Sequence, residues 1–196
     1  MLTIAWDVDD VLNELMRVWF AEIWELSHPD CGLHYDDIRE NPPDRILGIE
    51  REEYLRSLDL FRTSERARRM APNCAVLHWL ELYGSKCRHI ALTARPLDSV
   101  PAAAEWVFRH FGGHLRSFGV VPSRLDPDMP VYDADKGGFL RWFSGSTVLV
   151  DDSAENVCAA KASGVQGLLY PQPWNESSNT VAEALDHLTG MVASQS

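Results

Sequence analysis

Short, continuously apolar segments constrain the fold of this chain most. Four of them, 2–6, 89–92, 118–121 and 147–150, end at polar residues, and a fifth candidate lies at 167–170. Apolar runs without alternation predict strands that are covered on both faces, as in a parallel sheet, rather than strands with one face in water.

Helical patterns occupy the stretches between most of these segments. They span 74–83, 99–111 and 153–163, and each is followed by a glycine, which commonly ends a helix. The alternation of strand and helix predicts the α/β class, with a doubly wound parallel sheet and right-handed crossovers.

One long stretch, residues 14–73, interrupts this alternation. It contains helical patterns without a convincing strand, and its roughly 60 residues exceed what one crossover requires. We therefore expect a core built from residues 1–13 and 74–196, with a small helical insert, 14–73, that covers the sheet edge as a cap. The alternative is that these helices are simply part of the core. The polar tail from about Ser177 is expected to fray at its end.

Composition and charge exclude several classes of protein. The chain has 29 acidic and 18 basic residues and a formal net charge of -11, which disfavours binding to a nucleic-acid polymer. It contains no apolar run long enough for a transmembrane helix, so no membrane partner is expected. Without a basic leader, and with four cysteines that form no CxxC pair, it is predicted to be cytoplasmic. The sequence does not indicate an oligomeric state.

Polar and charged side chains follow the predicted strands. They are Asp7, Asp9 and Asp10 after the first strand, Thr93 after the second, Asp151 and Asp152 after the fourth, and Lys136 on a loop or helix start. In open α/β sheets, ligands bind outside the carboxyl ends of the strands, so we expect these groups to meet. Crowded carboxylates repel one another unless a cation neutralises them, and an all-oxygen donor set suits Mg²⁺.

These groups suit the chemistry of a phosphoryl group. A carboxylate can attack phosphorus and form an aspartyl-phosphate, and a second carboxylate two residues along the chain can protonate the leaving oxygen and then activate water. Lys136 and Thr93, with the metal, would stabilise the phosphoryl group during transfer. The expected partner is therefore a small phosphorylated substrate.

Four motifs in this order resemble those of the haloacid dehalogenase (HAD) superfamily of phosphatases. They stand as WDVDDVL at 6–12, LTARP at 92–96, DKGG at 135–138 and LVDDSAEN at 149–156. The resemblance covers roughly residues 1 to 170. It implies a Rossmann-like core and a Mg²⁺-dependent phosphomonoester hydrolase.

The resemblance also implies roles for individual residues. Asp7 corresponds to the nucleophile and a metal ligand, and Asp9 to the general acid and base, with its backbone carbonyl on the metal. Thr93 and Lys136 correspond to the groups that stabilise phosphate and the intermediate. The acid at position 9 implies phosphoester chemistry, because the dehalogenase and phosphonatase branches lack it.

The fourth motif departs from the family pattern at one position. Asp152 aligns with the metal-ligand position and Asp151 precedes it, so both stay candidates for the metal. Asn156 stands where many members carry another acid.

The insert resembles a C1-type cap, and the opening of the chain is similar to the 5′(3′)-deoxyribonucleotidase-like branch. This implies a nucleoside monophosphate or a related metabolite as substrate. Candidate substrate contacts are Trp19 and Phe20, which could stack on a base, and Arg95, which could bind an anion. The alternatives are core packing for the two aromatic residues and an ordinary ion pair for Arg95.

Two other functions compete with hydrolysis. One is a catalytically silent HAD-like protein that binds phosphate or regulates a partner, which the departure at Asn156 would suit. The other is a receiver domain. The second is disfavoured because the one candidate for a phosphorylated aspartate, Asp59, lies in a helix-like charged region rather than after an apolar strand.

Overall fold

A five-stranded parallel sheet forms the centre of the computed structural model, which describes residues 1–123, 129–143 and 147–194. The strands are β1 (Thr3–Trp6), β2 (Arg88–Arg95), β3 (Ser117–Pro122), β4 (Thr147–Asp151) and β5 (Gln166–Leu169). They lie in the order β3-β2-β1-β4-β5, and every neighbouring pair is parallel. The predicted α/β class and parallel sheet are confirmed. Strand β2 continues past its predicted end, so Thr93 and Arg95 lie within it.

Helices fill the connections between the strands. In chain order they are α1 (Leu15–Trp19), α2 (Glu25–Ser27), α3 (Asp44–Leu47), α4 (Arg51–Arg62), α5 (Glu65–Arg68), α6 (Cys74–Tyr83), α7 (Val100–Phe111), α8 (Lys136–Trp142), α9 (Ala154–Ala162) and α10 (Val181–Ala193). A π-helical stretch, Phe20–Trp24, joins α1 to α2. None of the helices in the described part of the chain is long and apolar enough to cross a membrane.

Both faces of the sheet are covered by helices. On one face α6, α7 and α10 pack through buried residues such as Trp79, Trp106 and Leu185. On the other face α8 and α9 pack through Phe139 and Ala160. Burial of each large apolar side chain contributes roughly 1.5–3 kcal/mol. Two-sided coverage explains why the strand sequences are continuously apolar.

The helices between β1 and β2 have a hydrophobic cluster of their own. Its largest buried members are Met16, Trp19, Phe20, Trp24, Tyr54, Leu58 and Phe61. Helices α1, α3, α4 and α5 and the π-helical stretch supply most of this cluster. Trp174 packs against it from the far end of the chain. The residues predicted to form an insert therefore pack mainly against one another.

Helix α10 lies in the polar tail from about Ser177, where no helix is predicted from the sequence and fraying is expected only at the end. Its start is fixed by a capping box, in which Thr180 and Glu183 each accept a hydrogen bond from the other's backbone N–H. Ala184, Leu185 and Leu188 lie on its buried face at helical spacing. The signal was present in the sequence, but polar residues before and after the helix concealed it.

A buried histidine links the sheet to α6. The indole Nε1–H of Trp6 donates to Nδ1 of His89 (3.1 Å), so Nε2 carries the proton and donates to the carbonyl of Gly84 (2.8 Å). Burial lowers the pKa of His89, and the neighbouring His114 lowers it further, while the bond to Gly84 opposes this shift. The folded state therefore favours the neutral imidazole of His89.

This arrangement predicts a pH dependence of stability. The folded state disfavours the charged imidazole, so its contribution to stability is present above the ordinary histidine pKa and is lost as pH falls below it. Between pH 7.5 and pH 5, we expect the free energy of unfolding to fall less in His89→Gln than in wild type. Urea denaturation measures both, and His187→Gln, at an exposed position, should keep the wild-type pH dependence. Parallel pH profiles for wild type and His89→Gln would contradict the prediction.

The four cysteines, Cys31, Cys74, Cys87 and Cys158, are free thiols. This agrees with the absence of a paired cysteine motif in the sequence.

Candidate active site

The register of the sheet brings the first and fourth motifs together. Trp6 of β1 pairs with Val150 of β4, so the next residues, Asp7 and Asp151, emerge side by side at the carboxyl edge. The backbone N–H of Asp7 continues the ladder by donating to the Val150 carbonyl (2.9 Å). Strands β2 and β3 lie on one side of β1, and β4 and β5 lie on the other. The strand order therefore reverses between β1 and β4, and folds of this kind bind ligands at the carboxyl ends of the strands at such a switch point.

A wide turn, Val8–Leu12, follows Asp7 and sets the positions of the next two aspartates. Asp9 has extended backbone angles, whereas Asp10 has φ of +62°, in the left-handed region that residues other than glycine rarely adopt. Two hydrogen bonds hold Asp10 there: its N–H donates to Oδ1 of Asn13 (3.1 Å), and its Oδ1 accepts from the N–H of Met16 (2.8 Å).

Lys136 joins the first and fourth motifs. It is the first residue of α8, and its side chain is 1% exposed. Its Nζ lies 2.7 Å from Oδ1 of Asp7 and 2.7 Å from Oδ2 of Asp151. Gly137 allows α8 to approach this position, because a Cβ there would lie 2.6 Å from the carbonyl oxygen of Ala159 in α9. The structure thus places the predicted lysine at a helix start between two aspartates.

The two aspartates of the fourth motif have different surroundings. Both carboxylate oxygens of Asp151 already accept hydrogen bonds, from Lys136, from the backbone N–H of Ser153 (2.9 Å) and from Nδ2 of Asn156 (3.1 and 3.2 Å). Asp152 accepts at Oδ2 from the indole Nε1–H of Trp174 (2.9 Å). Asn156 therefore donates to Asp151 where an acid at the same position would repel it.

The carboxylates of Asp7, Asp151 and Asp152 form a compact oxygen cluster. One oxygen of each lies within 4.8 Å of the others, and all three residues are buried. Burial raises the pKa of Asp7 to about 7; Lys136 opposes this rise, and Asp151 and Asp9 add to it. Burial also raises the pKa of Asp152 well above its usual value. The cluster combines three carboxylates with one ammonium group, which contacts two of them, so the donor set and its charge fit a hard divalent cation such as Mg²⁺.

Asp9 is held by two arginines. Its Oδ1 accepts a hydrogen bond from Nη2 of Arg95, and its Oδ2 lies 3.1 Å from Nη2 of Arg62. Arg62 ends α4, among the helices of the predicted insert, and also contacts Asp59 (2.9 Å). Burial would raise the pKa of Asp9, but the two guanidinium groups outweigh it and hold the pKa below its ordinary value. Sequence analysis missed Arg62, because nothing distinguishes it from the other arginines of its charged helix.

Thr93 contributes a buried hydroxyl to the site. The residue is 1% exposed, and its Oγ1 has no hydrogen-bond partner among the residues that the structure describes. Thr93 lines a cleft of about 160 Å³ together with Asp7, Lys136 and Asp152. Since buried polar groups are nearly always hydrogen-bonded, this hydroxyl is available to an acceptor in the cleft.

The aromatic candidates for substrate contact lie elsewhere. Trp19 and Phe20 are 0% and 1% exposed, inside the hydrophobic cluster of the helices between β1 and β2. The structure thus shows the packing role that was the alternative, and neither ring reaches the cleft. The same helices and their connecting loop line the cleft with other residues, which are Leu15, Met16, Asn41, Tyr54, Leu58 and Arg62. The helical spacing of aromatic residues in the sequence could not distinguish contact with a substrate from packing in the core.

Comparison with known proteins identifies the fold. The sequence matches no family model and no curated protein. A hydrolase from Streptococcus pneumoniae is similar in structure, with a TM-score of 0.62 at 12% identity over 95% of this chain and 97% of that one. A HAD-superfamily hydrolase of subfamily IA from Geobacter sulfurreducens has a TM-score of 0.58 at 14% identity, over 98% and 96% of the two chains.

A third neighbour shows how far the likeness extends. Protein tyrosine kinase A of Mycobacterium tuberculosis has a TM-score of 0.61 at 18% identity, over 96% of this chain and 97% of that one. Proteins with different named activities thus share this architecture, and identities this low speak for the fold alone. The chain has the α/β fold found in HAD-superfamily hydrolases.

Proposed function

We propose that the protein is a Mg²⁺-dependent phosphomonoester hydrolase that acts through an aspartyl-phosphate. The observation that carries the proposal is the position of Lys136, which lies 2.7 Å from both Asp7 and Asp151 and lines one cleft with the unpartnered hydroxyl of Thr93. A buried ammonium and a free hydroxyl form an anion site, and the carboxylate of Asp7 lies at its edge. A phosphoryl group fits both features.

The first half of the proposed reaction transfers the phosphoryl group to the protein. A carboxylate oxygen of Asp7 attacks phosphorus, the ester P–O bond breaks, and the Asp9 carboxyl gives its proton to the leaving oxygen. Lys136 and the Thr93 hydroxyl donate to the phosphoryl oxygens. A bound Mg²⁺ would supply further charge neutralisation, held by Asp7, Asp152 and the backbone carbonyl of Asp9, while Asp151 anchors Lys136.

The second half releases phosphate. The Asp9 carboxylate takes a proton from water, the water oxygen bonds to phosphorus, and the bond between phosphorus and the Asp7 oxygen breaks. Arg62 and Arg95 hold Asp9 in its ionised form, which suits this half. The first half requires protonated Asp9, so we propose that these contacts loosen when substrate binds.

We further propose that residues 14–73 act as a C1-type cap and that the substrate is a small phosphorylated metabolite, such as a nucleoside monophosphate. Tyr54, Leu58 and Arg62 support the first point, because they line the same cleft as the carboxylates. The cleft of about 160 Å³ supports the second, since it has room for a phosphoryl group and a small part of a leaving group. We also propose that the protein acts in the cytoplasm.

The second candidate function is phosphate binding without turnover. It is favoured by the two guanidinium groups on Asp9, which oppose proton donation to a leaving group. The same anion site would then serve for recognition only.

A phosphate-release screen separates the two functions. Nucleoside monophosphates, sugar phosphates and an aryl phosphate are incubated with the protein in Mg²⁺ or in EDTA. Hydrolysis predicts release that requires Mg²⁺, is lost in Asp7→Asn and is retained in Asp36→Asn, at an exposed acid that does not line the cleft. Mg²⁺-dependent binding of inorganic phosphate without any release would support the binding function instead.

Substitution of Thr93 is expected to affect the stability of the protein little and its affinity for inorganic phosphate strongly. Thr93→Val removes an unsatisfied buried hydroxyl, so the free energy of unfolding should fall by less than about 1 kcal/mol or rise. Inorganic phosphate should bind about ten- to a hundredfold more weakly, since a hydrogen bond to a charged group contributes about 1.5–3 kcal/mol. Urea denaturation and calorimetric titration measure the two effects.

Thr189→Val is the matched control for this experiment. The Thr189 hydroxyl accepts from the Trp79 indole (2.9 Å) and donates to the Leu185 carbonyl (3.0 Å), away from the cleft. This variant should lose stability and keep its affinity for phosphate. Unchanged phosphate affinity in Thr93→Val would remove Thr93 from the proposed anion site.

A further inference from the structure

The loop after β5 reaches back to the carboxylate cluster. The indole Nε1–H of Trp174 donates to Oδ2 of Asp152 (2.9 Å). The side-chain amide of Asn175 donates to the backbone carbonyl of Asp152 (2.8 Å) and to that of Tyr170 (2.8 Å). Asp152 is thus held at its backbone and at its carboxylate by two residues of one loop.

The same loop also contacts the first motif and the helices between β1 and β2. Nε2 of Gln172 donates to the backbone carbonyl of Asp10 (2.6 Å), and the hydroxyl of Tyr35 donates to Oε1 of Gln172 (3.1 Å). The rings of Tyr35 and Trp174 meet edge to face, with centroids 6.1 Å apart. The position of the Trp174 indole is therefore fixed from two directions.

We propose that Trp174 is a positioning residue of the metal centre, which orients the Asp152 carboxylate so that its other oxygen faces the cation. This inference rests on the proposed function, because it assumes that Asp152 is a metal ligand. An ionised carboxylate offers about four lone-pair sites on its two oxygens, so a rigid donor on one oxygen limits how the group can rotate. Partners of metal ligands act in this way and typically change metal affinity by about 10- to 100-fold.

The inference adds a residue outside the four sequence motifs. Trp174 lies beyond residue 170, where the sequence resemblance ends, and its indole is only half-buried. Lys136 and Asn156 both donate hydrogen bonds to Asp151, whereas Trp174 donates to Asp152.

The test compares Trp174→Phe with Trp79→Phe. Both variants keep an aromatic ring and lose one indole N–H that donates to a side-chain oxygen, Asp152 in one case and Thr189 in the other. Binding of Mn²⁺, which uses the same oxygen ligands as Mg²⁺, is measured from the free-ion signal in electron paramagnetic resonance, with Mg²⁺ as competitor. We expect the Kd for Mn²⁺ to rise at least about tenfold in Trp174→Phe and to stay at the wild-type value in Trp79→Phe.

A second measurement follows Mg²⁺ binding to the wild-type protein by nuclear magnetic resonance. The two variants assign the indole N–H resonances of Trp174 and Trp79 in wild-type spectra. Addition of Mg²⁺ should shift the Trp174 resonance and leave that of Trp79 in place. This readout needs only one spectrum of each folded variant for the assignment and no metal titration of Trp174→Phe.

The outcomes separate this inference from the function beneath it. Wild type that binds no Mn²⁺ overturns the proposed metal site and the inference together. Wild-type Mn²⁺ affinity in Trp174→Phe, or a Trp174 resonance that ignores Mg²⁺ in a protein that binds it, overturns the inference alone. Equal weakening in Trp79→Phe would show a general effect of lost packing and would also overturn it.

Discussion

Asp7→Asn is expected to abolish phosphate release while the protein stays folded. The substitution keeps the shape of the side chain but removes the charged oxygen that attacks phosphorus, so no aspartyl-phosphate forms. We expect activity to fall by at least about 10³-fold, the scale seen when a nucleophile is lost from a site whose binding groups remain. Phosphate release with the best substrate of the screen measures this loss.

The intermediate itself gives a more direct test of Asp7. Acid quench of the wild-type reaction with labelled substrate should trap a phosphoprotein whose label is lost on treatment with hydroxylamine. Asp7→Asn should show no label, whereas Asp36→Asn should label as wild type does. A labelled Asp7→Asn protein would place the nucleophile elsewhere. Circular dichroism should give superimposable spectra, because Lys136 keeps its contact with Asp151 in the variant.

Much of the site could be predicted because most of its residues lie at the ends of strands. Apolar runs locate the strand ends, and a parallel sheet places those ends along one edge, so Asp7 and Asp151 must meet once their strands are neighbours. Lys136 was harder to place, because a single lysine usually lies at the surface. Its position in an ordered series of motifs singled it out, and its burial between two carboxylates agrees with that assignment.

Other residues of the site could not be found in this way. Arg62 and Trp174 reach the carboxylates from a helix and a loop that are remote in sequence, through contacts of 53 and 22 residues' separation. The Arg62 contact depends on how the helices between β1 and β2 pack, and the Trp174 contact depends on the path of the loop after β5. No strand end fixes either of these. For the same reason Trp19 and Phe20 were open to two roles, since a helical stripe shows which face is apolar but not what covers it.

Lys136→Met is expected to destabilise the metal-free protein by about 3–5 kcal/mol, the cost of removing one partner from a buried ion pair. The side chain is 1% exposed and contacts two buried carboxylates. Methionine fills a similar volume but leaves Asp7 and Asp151 facing each other without a cation. The free energy of unfolding in urea with EDTA measures this cost. Lys161→Met, at an exposed position near the end of α9, should change stability little.

The same variant tests whether a divalent cation binds at the carboxylates that Lys136 contacts. Removal of the ammonium makes the cluster more negative, so the carboxylates should attract a divalent cation more strongly. We therefore expect Mg²⁺ to raise the free energy of unfolding more in Lys136→Met than in wild type, although the variant loses its activity. Bound cation stabilises the folded state according to its concentration relative to Kd, so titration of Mg²⁺ during urea denaturation gives both affinities. Equal gains from Mg²⁺ in the two proteins would mean that the cation does not bind at the carboxylates that Lys136 contacts.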